Sequence, residues 1–175
     1  MDSNQLSRGS PRGPVEPRGF FTGVKILPII VGAVVDYVAT FVVVMAYLII
    51  YYVKEPLESG GLPEEVIERA FKEMVSSQEG LVALLVIGAL CTVLGGYVAG
   101  RLAKAQEVKH GALVGAVSLV LGALQSGMVG EETPIPQWVQ LLGYILAIPA
   151  GALGGWLAAI RPRAPLFGAA KNRGP

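Results

Sequence analysis

Four stretches of this chain, 26–53, 81–100, 111–129 and 137–160, hold almost no charge, and that pattern excludes most folds. A helix needs about 20 apolar residues to cross a hydrocarbon core of roughly 30 Å, and each stretch is long enough. Buried helices of a large soluble protein carry the same signature, but 175 residues leave too little sequence to cover four of them. Charged residues make up 15% of the chain, against roughly 25% in an ordinary soluble domain. The expected fold class is therefore all-α, an integral membrane four-helix bundle, within a membrane domain spanning 23–161. A cleaved signal peptide has an apolar region of only about 7–15 residues, so the first stretch is read as a retained span.

Charge sets the expected topology. Arg8, Arg12, Arg18 and Lys25 precede the first span, and Arg101, Lys104 and Lys109 separate the second from the third. Arg161, Arg163, Lys171 and Arg173 follow the fourth, while the other two connections hold only Lys54, Arg69 and Lys72. Lys and Arg gather on the cytoplasmic side. Both termini and the central loop are thus expected inside, with Arg101, Lys104, Lys109, Arg161 and Arg163 as an inner basic rim. The tails, 1–22 and 162–175, are rich in Pro, Gly and Arg without apolar periodicity, and are expected to be disordered cytoplasmic segments.

The first outer loop contains a helix signal over about 63–78. Pro63 suits a first turn and Glu64 and Glu65 favour its positive end. Val66, Ile67, Ala70, Phe71, Met74 and Val75 recur at helical spacing, with Glu65, Glu68, Arg69, Lys72 and Glu73 largely opposite. That polar face lacks the Lys/Arg excess of helices that lie on lipid, which favours a lid or a partner-docking helix.

Because lipid is as apolar as Leu, membrane helices associate by close packing through small residues four apart. Gly88, Thr92, Gly96 and Gly100 form one such line, and Gly143, Ala147, Gly151, Gly155 and Ala159 another. Gly111 and Gly115 start a third. These lines predict tight helix interfaces, either within the bundle or with a second copy or another membrane protein. The segments Leu94-Gly95-Gly96-Tyr97 and Leu153-Gly154-Gly155-Trp156 resemble each other, which fits either a duplicated hairpin or convergence on small residues.

Asp36 is the only charged side chain inside the four stretches. At 1.5 Å per residue it lies about 15 Å deep, near the midplane. Acids at that depth face the bundle interior and mark function or a specific helix contact. Thr92, Ser118 and the carbonyl of Ile145, released by Pro149, come out at a similar level and are the candidate partners. With no cation beside it, the carboxyl is expected to be neutral and to donate a hydrogen bond. Gln125 and Ser126 extend a weak polar path from it. Asp36, Thr92 and Ser118 form the candidate proton or ion site; a neutral carboxyl joining helices is the plainer reading of the same residues.

Other chemistries lack their parts. A net charge of +1 gives no basic footprint for nucleic acid. His110 is the only histidine and Cys91 the only cysteine, so no multi-His metal centre and no intrachain disulfide is expected. His110 itself reads as a residue at headgroup level. His-Glu-x-x-His and Gly-x-Ser-x-Gly are both missing. No catalytic residue, metal or cofactor is expected, and the chain is not expected to be an enzyme.

The stretch 94–122 resembles the small multi-pass bacterial membrane proteins called YrzE-like. Gly95, Gly96, Ala99, Gly100, Arg101 and Ala103 match their Gly-Gly-x-x-Ala-Gly-Arg-x-Ala ending of a span, and His110, Gly111 and Ala112 match the start of the next. Gly32 and Asp36 in the first span also look like members of this group. The resemblance implies four spans in a bacterial plasma membrane and brings no activity with it. The expected function is a structural or interaction protein of the bilayer; the alternative is a small proton- or cation-linked channel or transporter subunit using Asp36.

Overall fold

Residues 23–53, 63–128 and 135–161 are described by a computed structural model. The tails 1–22 and 162–175, with Arg163, lie outside the described residues, as do the loop segments 54–62 and 129–134 and the side chain of Ser126. The fold is all-α, with helices α1 (Ile26–Tyr51), α2 (Glu64–Ser76), α3 (Gln78–Ala103), α4 (Glu107–Met128) and α5 (Gln137–Ile160). All but α2 are long and apolar enough to cross a membrane.

Two helices begin before their charge-free stretches, for local reasons. Ser77 caps α3, its Oγ accepting from the Gly80 N–H at 3.0 Å and donating to the Met74 carbonyl at 2.9 Å. With that proton committed, the Tyr52 hydroxyl is the donor in its 3.0 Å bond to Ser77 Oγ. The bend is too tight for a side chain at position 80, where a Cβ would lie 2.8 Å from the Met74 carbonyl carbon. At α4, Glu107 occupies the first turn, where the helix dipole favours an acid.

The spans run alternately up and down. The start of α1, the α3–α4 turn and the end of α5 share one end of the bundle, here the turn end; α2 lies at the other, the cap end. In cross-section the four spans make a rhombus. Helices α3 and α4 meet across its short diagonal, α5 packs on both, and α1 packs chiefly on α3 and less on α4, with α5 diagonally opposite. Outward faces carry Ile30, Val34, Phe41 and Val42 of α1 and Leu141 and Ile145 of α5, all more than half exposed.

Helix α2 closes the cap end. Its apolar side buries Ala70, Met74 and Val75 against Leu48, Leu81 and Val139. Glu64, Glu65, Glu68, Arg69, Lys72 and Glu73 all face away, exposed. The alternation of sequence thus becomes a helix bound to protein on one side and charged on the other.

Candidate functional site

At the turn end, small residues bring backbones together. Gly32 of α1 sits against Gly95 of α3, where a Cβ would lie 2.7 Å from the Gly95 carbonyl oxygen and 2.8 Å from Ala99 Cβ. Gly96 faces the Gly151 backbone of α5, while Gly111 and Gly115 of α4 face Gly151, Gly155 and Ala147. Gly100 meets Ala158 and Gly155, and Gly155 meets Glu107 and Val108. A side chain at any of these positions would come within 3.0 Å of a neighbour or force a shift. Each Gly-Gly pair serves two neighbours: Gly95 faces α1 and Gly96 faces α5, whereas Gly154 faces α3 and Gly155 faces α4. Gly95 thus faces its own hairpin partner, and Gly154 faces a helix of the other hairpin. The two segments look alike and are used differently.

The same end is clasped by polar groups. His110 is fully buried within the protein, on the first turn of α4. Its Nε2 lies 2.9 Å from the Lys25 backbone nitrogen, which can only donate, so the ring is neutral at Nε2 and carries its proton on Nδ1. Nδ1 then donates to the Gln106 carbonyl at 3.0 Å. The entry of α1 is thereby tied to the start of α4. The sequence signal was faint: one imidazole opening an apolar run, whose partner is a backbone group 85 positions away. Arg101 reaches the Arg161 carbonyl at 3.4 Å, and the Arg161 guanidinium stands 5.6 Å from the Tyr97 ring centroid. Lys104 is exposed in a left-handed conformation (φ 61°) at the α3–α4 turn, and Lys109 is half-buried on the first turn of α4.

Towards the cap end the helices part around a cavity of about 550 Å³ lined by all four spans. Asp36, Thr92 and Ser118 meet at its floor, from α1, α3 and α4 respectively. Asp36 is 5% exposed, and its Oδ1 and Oδ2 lie 3.2 and 3.3 Å from Thr92 Oγ1. Ser118 Oγ hydrogen-bonds to Oδ2. Each hydroxyl has a second acceptor one turn back: Gly88 O at 3.0 Å from Thr92 and Val114 O at 3.1 Å from Ser118. Thr40, four residues after Asp36, also lines the cavity. Pro149 is exposed on α5 beside the exposed Ile145, and the hydrogen bonds of Asp36 go to Thr92 and Ser118, not to the released carbonyl.

The cavity walls are apolar, with Phe41, Val44, Leu84, Leu85 and Leu119 prominent. Their spacing depends on two glycines that stand apart from the packing described above. A Cβ at Gly88 would meet nothing within 4 Å, and one at Gly143 would meet only Leu85 Cδ2 at 3.9 Å. At the side, Gln125 Nε2 donates to the Tyr37 hydroxyl at 3.2 Å, bridging α4 to α1. A second depression of about 460 Å³ runs along the α1–α4 seam and shares Ala33, Tyr37, Leu121 and Gln125 with the cavity. Among the described residues no group of three or more His, Cys, Asp or Glu side chains could hold a metal.

A family model described as "Protein of unknown function (DUF3792)" matches residues 70–158, half of the chain, so the protein belongs to that uncharacterised family. The match runs from α2 through α5 and includes Thr92, Ser118, His110 and the paired glycines; Asp36 precedes it. No curated protein and no solved structure matches the chain.

Proposed function

We propose that this member of an uncharacterised membrane family is a non-enzymatic structural or interaction protein of the bacterial plasma membrane, held together through small-residue faces and an intramembrane carboxyl clasp. The observation that carries the reading is the closure of the clasp. One carboxyl engages hydroxyls from two other helices, and no buried side-chain polar atom among the described residues lacks a partner. A polar group satisfied in this way fixes helix register at little cost to the bundle. Interaction would use the charged face of α2, which stays exposed while the apolar face is buried, or a second copy of the chain against the outward faces. The YrzE-like resemblance around Gly95–Ala103 supports a bacterial setting. Arg101, Lys104, Lys109 and Arg161 at the turn end support both termini on the cytoplasmic side, with α2 outside.

The test is a pair of substitutions. Asn reproduces a neutral acid's donor and acceptor, so Asp36→Asn should keep the thermal stability of the purified protein in detergent. Asp36→Leu should lower it by about 1–2 kcal/mol, the upper range for an interhelical hydrogen bond in a membrane. A protein that tolerates Leu but collapses with Asn would refute the clasp.

A second reading, a proton- or cation-linked channel or transporter subunit, is favoured by one observation: the carboxyl lines a cavity as well as a helix contact. Proton or cation flux into liposomes, wild type against Asp36→Asn, separates the two. Absence of Asp36-dependent flux removes the transport reading.

A further inference from the structure

The cavity combines features that neither a packing contact nor an inorganic ion site needs. Its volume of about 550 Å³ falls within the roughly 300–1,000 Å³ of sites for drug-sized ligands. Its walls are aliphatic and aromatic, and its floor is a carboxyl. A bare metal cation of the hard type takes about six oxygens. Here one carboxyl and the hydroxyls of Thr92, Ser118 and Thr40 face apolar walls instead. No Lys, Arg or His lines the space, so no protein cation neutralises Asp36 there. An uncharged hydrocarbon would fill the walls and leave the floor unused.

The hydrogen-bond inventory around Asp36 accommodates two charge states. With a neutral acid, Asp36 donates to Ser118 Oγ, Ser118 donates to Val114 O, and Thr92 donates to Asp36. With a carboxylate, Ser118 turns its proton from the Val114 carbonyl to the carboxylate while Thr92 keeps donating to it, over distances already formed. Neither state strands a donor. A floor that works with and without its proton suits a site where a positive charge replaces that proton.

We propose that this cavity binds a lipophilic organic monocation, an ammonium or phosphonium with apolar substituents, in exchange for the proton of Asp36. On binding, the Asp36 O–H bond breaks, its electron pair stays on the carboxylate oxygen, and the proton leaves to water. The cation pairs with the carboxylate, so the net charge of the site is unchanged. Apolar substituents bury against Phe41, Val44, Leu84, Leu85 and Leu119, and Tyr37, Phe41 and Tyr144 supply aromatic rings at the lining that suit a cation. Access runs along the α1–α4 seam, where the Tyr37–Gln125 hydrogen bond is the bar to be opened. Lateral access from the bilayer suits a lipophilic ligand.

The inference deepens the transport reading by naming the class of cation, and equilibrium binding tests it separately from flux. The probe is tetraphenylphosphonium, titrated into the purified full-length protein in nanodiscs between about pH 5 and 8. The other titratable groups lining the cavity are Tyr37 of α1 and Tyr144 of α5. α3 and α4 contribute only Thr92, Ser118 and Gln125 as polar groups. Expected are saturable binding, affinity rising by up to about tenfold per pH unit, and about one proton released per cation in weak buffer. Asp36→Asn should bind no more than empty nanodiscs. Gly88→Leu combined with Gly143→Leu adds bulk where a Cβ meets nothing within 4 Å at 88 and only Leu85 Cδ2 at 3.9 Å at 143, and should fold normally while losing at least about tenfold in affinity. Unchanged binding in either variant, pH-independent binding or no saturable binding overturns the inference. So does a retained phospholipid that the two leucines displace and Asp36→Asn does not, because that result makes the cavity an acyl-chain slot. Binding without flux keeps the inference and removes the transport reading; inorganic-cation flux without tetraphenylphosphonium binding does the reverse.

Discussion

A Cβ on Gly96, at the turn end, would run into the backbone of Gly151, whereas a Cβ on Gly88, two turns nearer the cap end, would meet nothing within 4 Å. Both glycines lie on one line of one helix. In the first place the missing side chain lets two backbones touch; in the second it leaves room. The bundle is thus a closed half and a hollow half built from the same residue type, with Asp36 at the boundary. In a membrane, where no solvent drives helices together, backbone approach supplies the cohesion and the splayed half depends on it.

Gly151→Leu would drive a side chain into Gly111 and Gly115 and should cost about 3 kcal/mol, the upper end of the usual range for overpacking. Thermal unfolding and gel filtration in detergent would read it; a protein as stable as wild type would mean that the halves do not differ. His110→Ala should cost about 1 kcal/mol, because the part-buried Lys25 N–H loses its acceptor. Proteolysis near residue 25, faster in the variant, localises that loss to the turn end. Gly88→Leu alone should leave stability unchanged or raise it by up to about 1 kcal/mol, the difference in helix propensity. A loss comparable to that of Gly151→Leu would show that the hollow half is packed.

The smallest effect belongs to α2. Lys72 bonds to Glu68 at 2.7 Å, and that hydrogen bond and charge hold the Glu68 carboxyl below its ordinary range. A carboxyl depressed in the folded state stabilises fully above its unfolded value and loses the contribution as pH falls through the folded one. Acid titration of α2 by NMR should show this pair separating, and Lys72→Gln should move the Glu68 midpoint up. Both groups are fully at the surface, so the melting temperature of the bundle should not follow.

Much of this was legible from residues because the bilayer imposes simple rules. Charge-free length locates α1, α3, α4 and α5, and one acid among apolar residues singles out Asp36. Depth counting from the helix ends brings Thr92 and Ser118 to its level. The spacing of small residues identifies a helix face but carries no information on how far away the next helix stands. Gly88 and Gly143 therefore read like Gly96 and Gly151, though only the latter are in contact. Gly32 against Gly95 escaped notice because each belongs to a short match on a different span. The burial of His110 is not legible in the same way, because its partner is a main-chain group, which composition never reveals.

The paired glycines also fix which parts of the bundle can move. Adjacent residues on a helix point roughly 100° apart, so Gly95 and Gly96 give α3 two flat sides, one against α1 and one against α5. Turning α3 about its axis by a single position would thrust Leu94 or Tyr97 into a neighbouring backbone. Helix α5 is keyed in the same way by Gly154 and Gly155. Helices α3 and α5 are thereby locked in angle, whereas α1 has no close backbone packing on α5 and packs on α4 less than on α3. Its close backbone approach is at Gly32 against Gly95, and Asp36, one turn further on, ties it to α3 and α4.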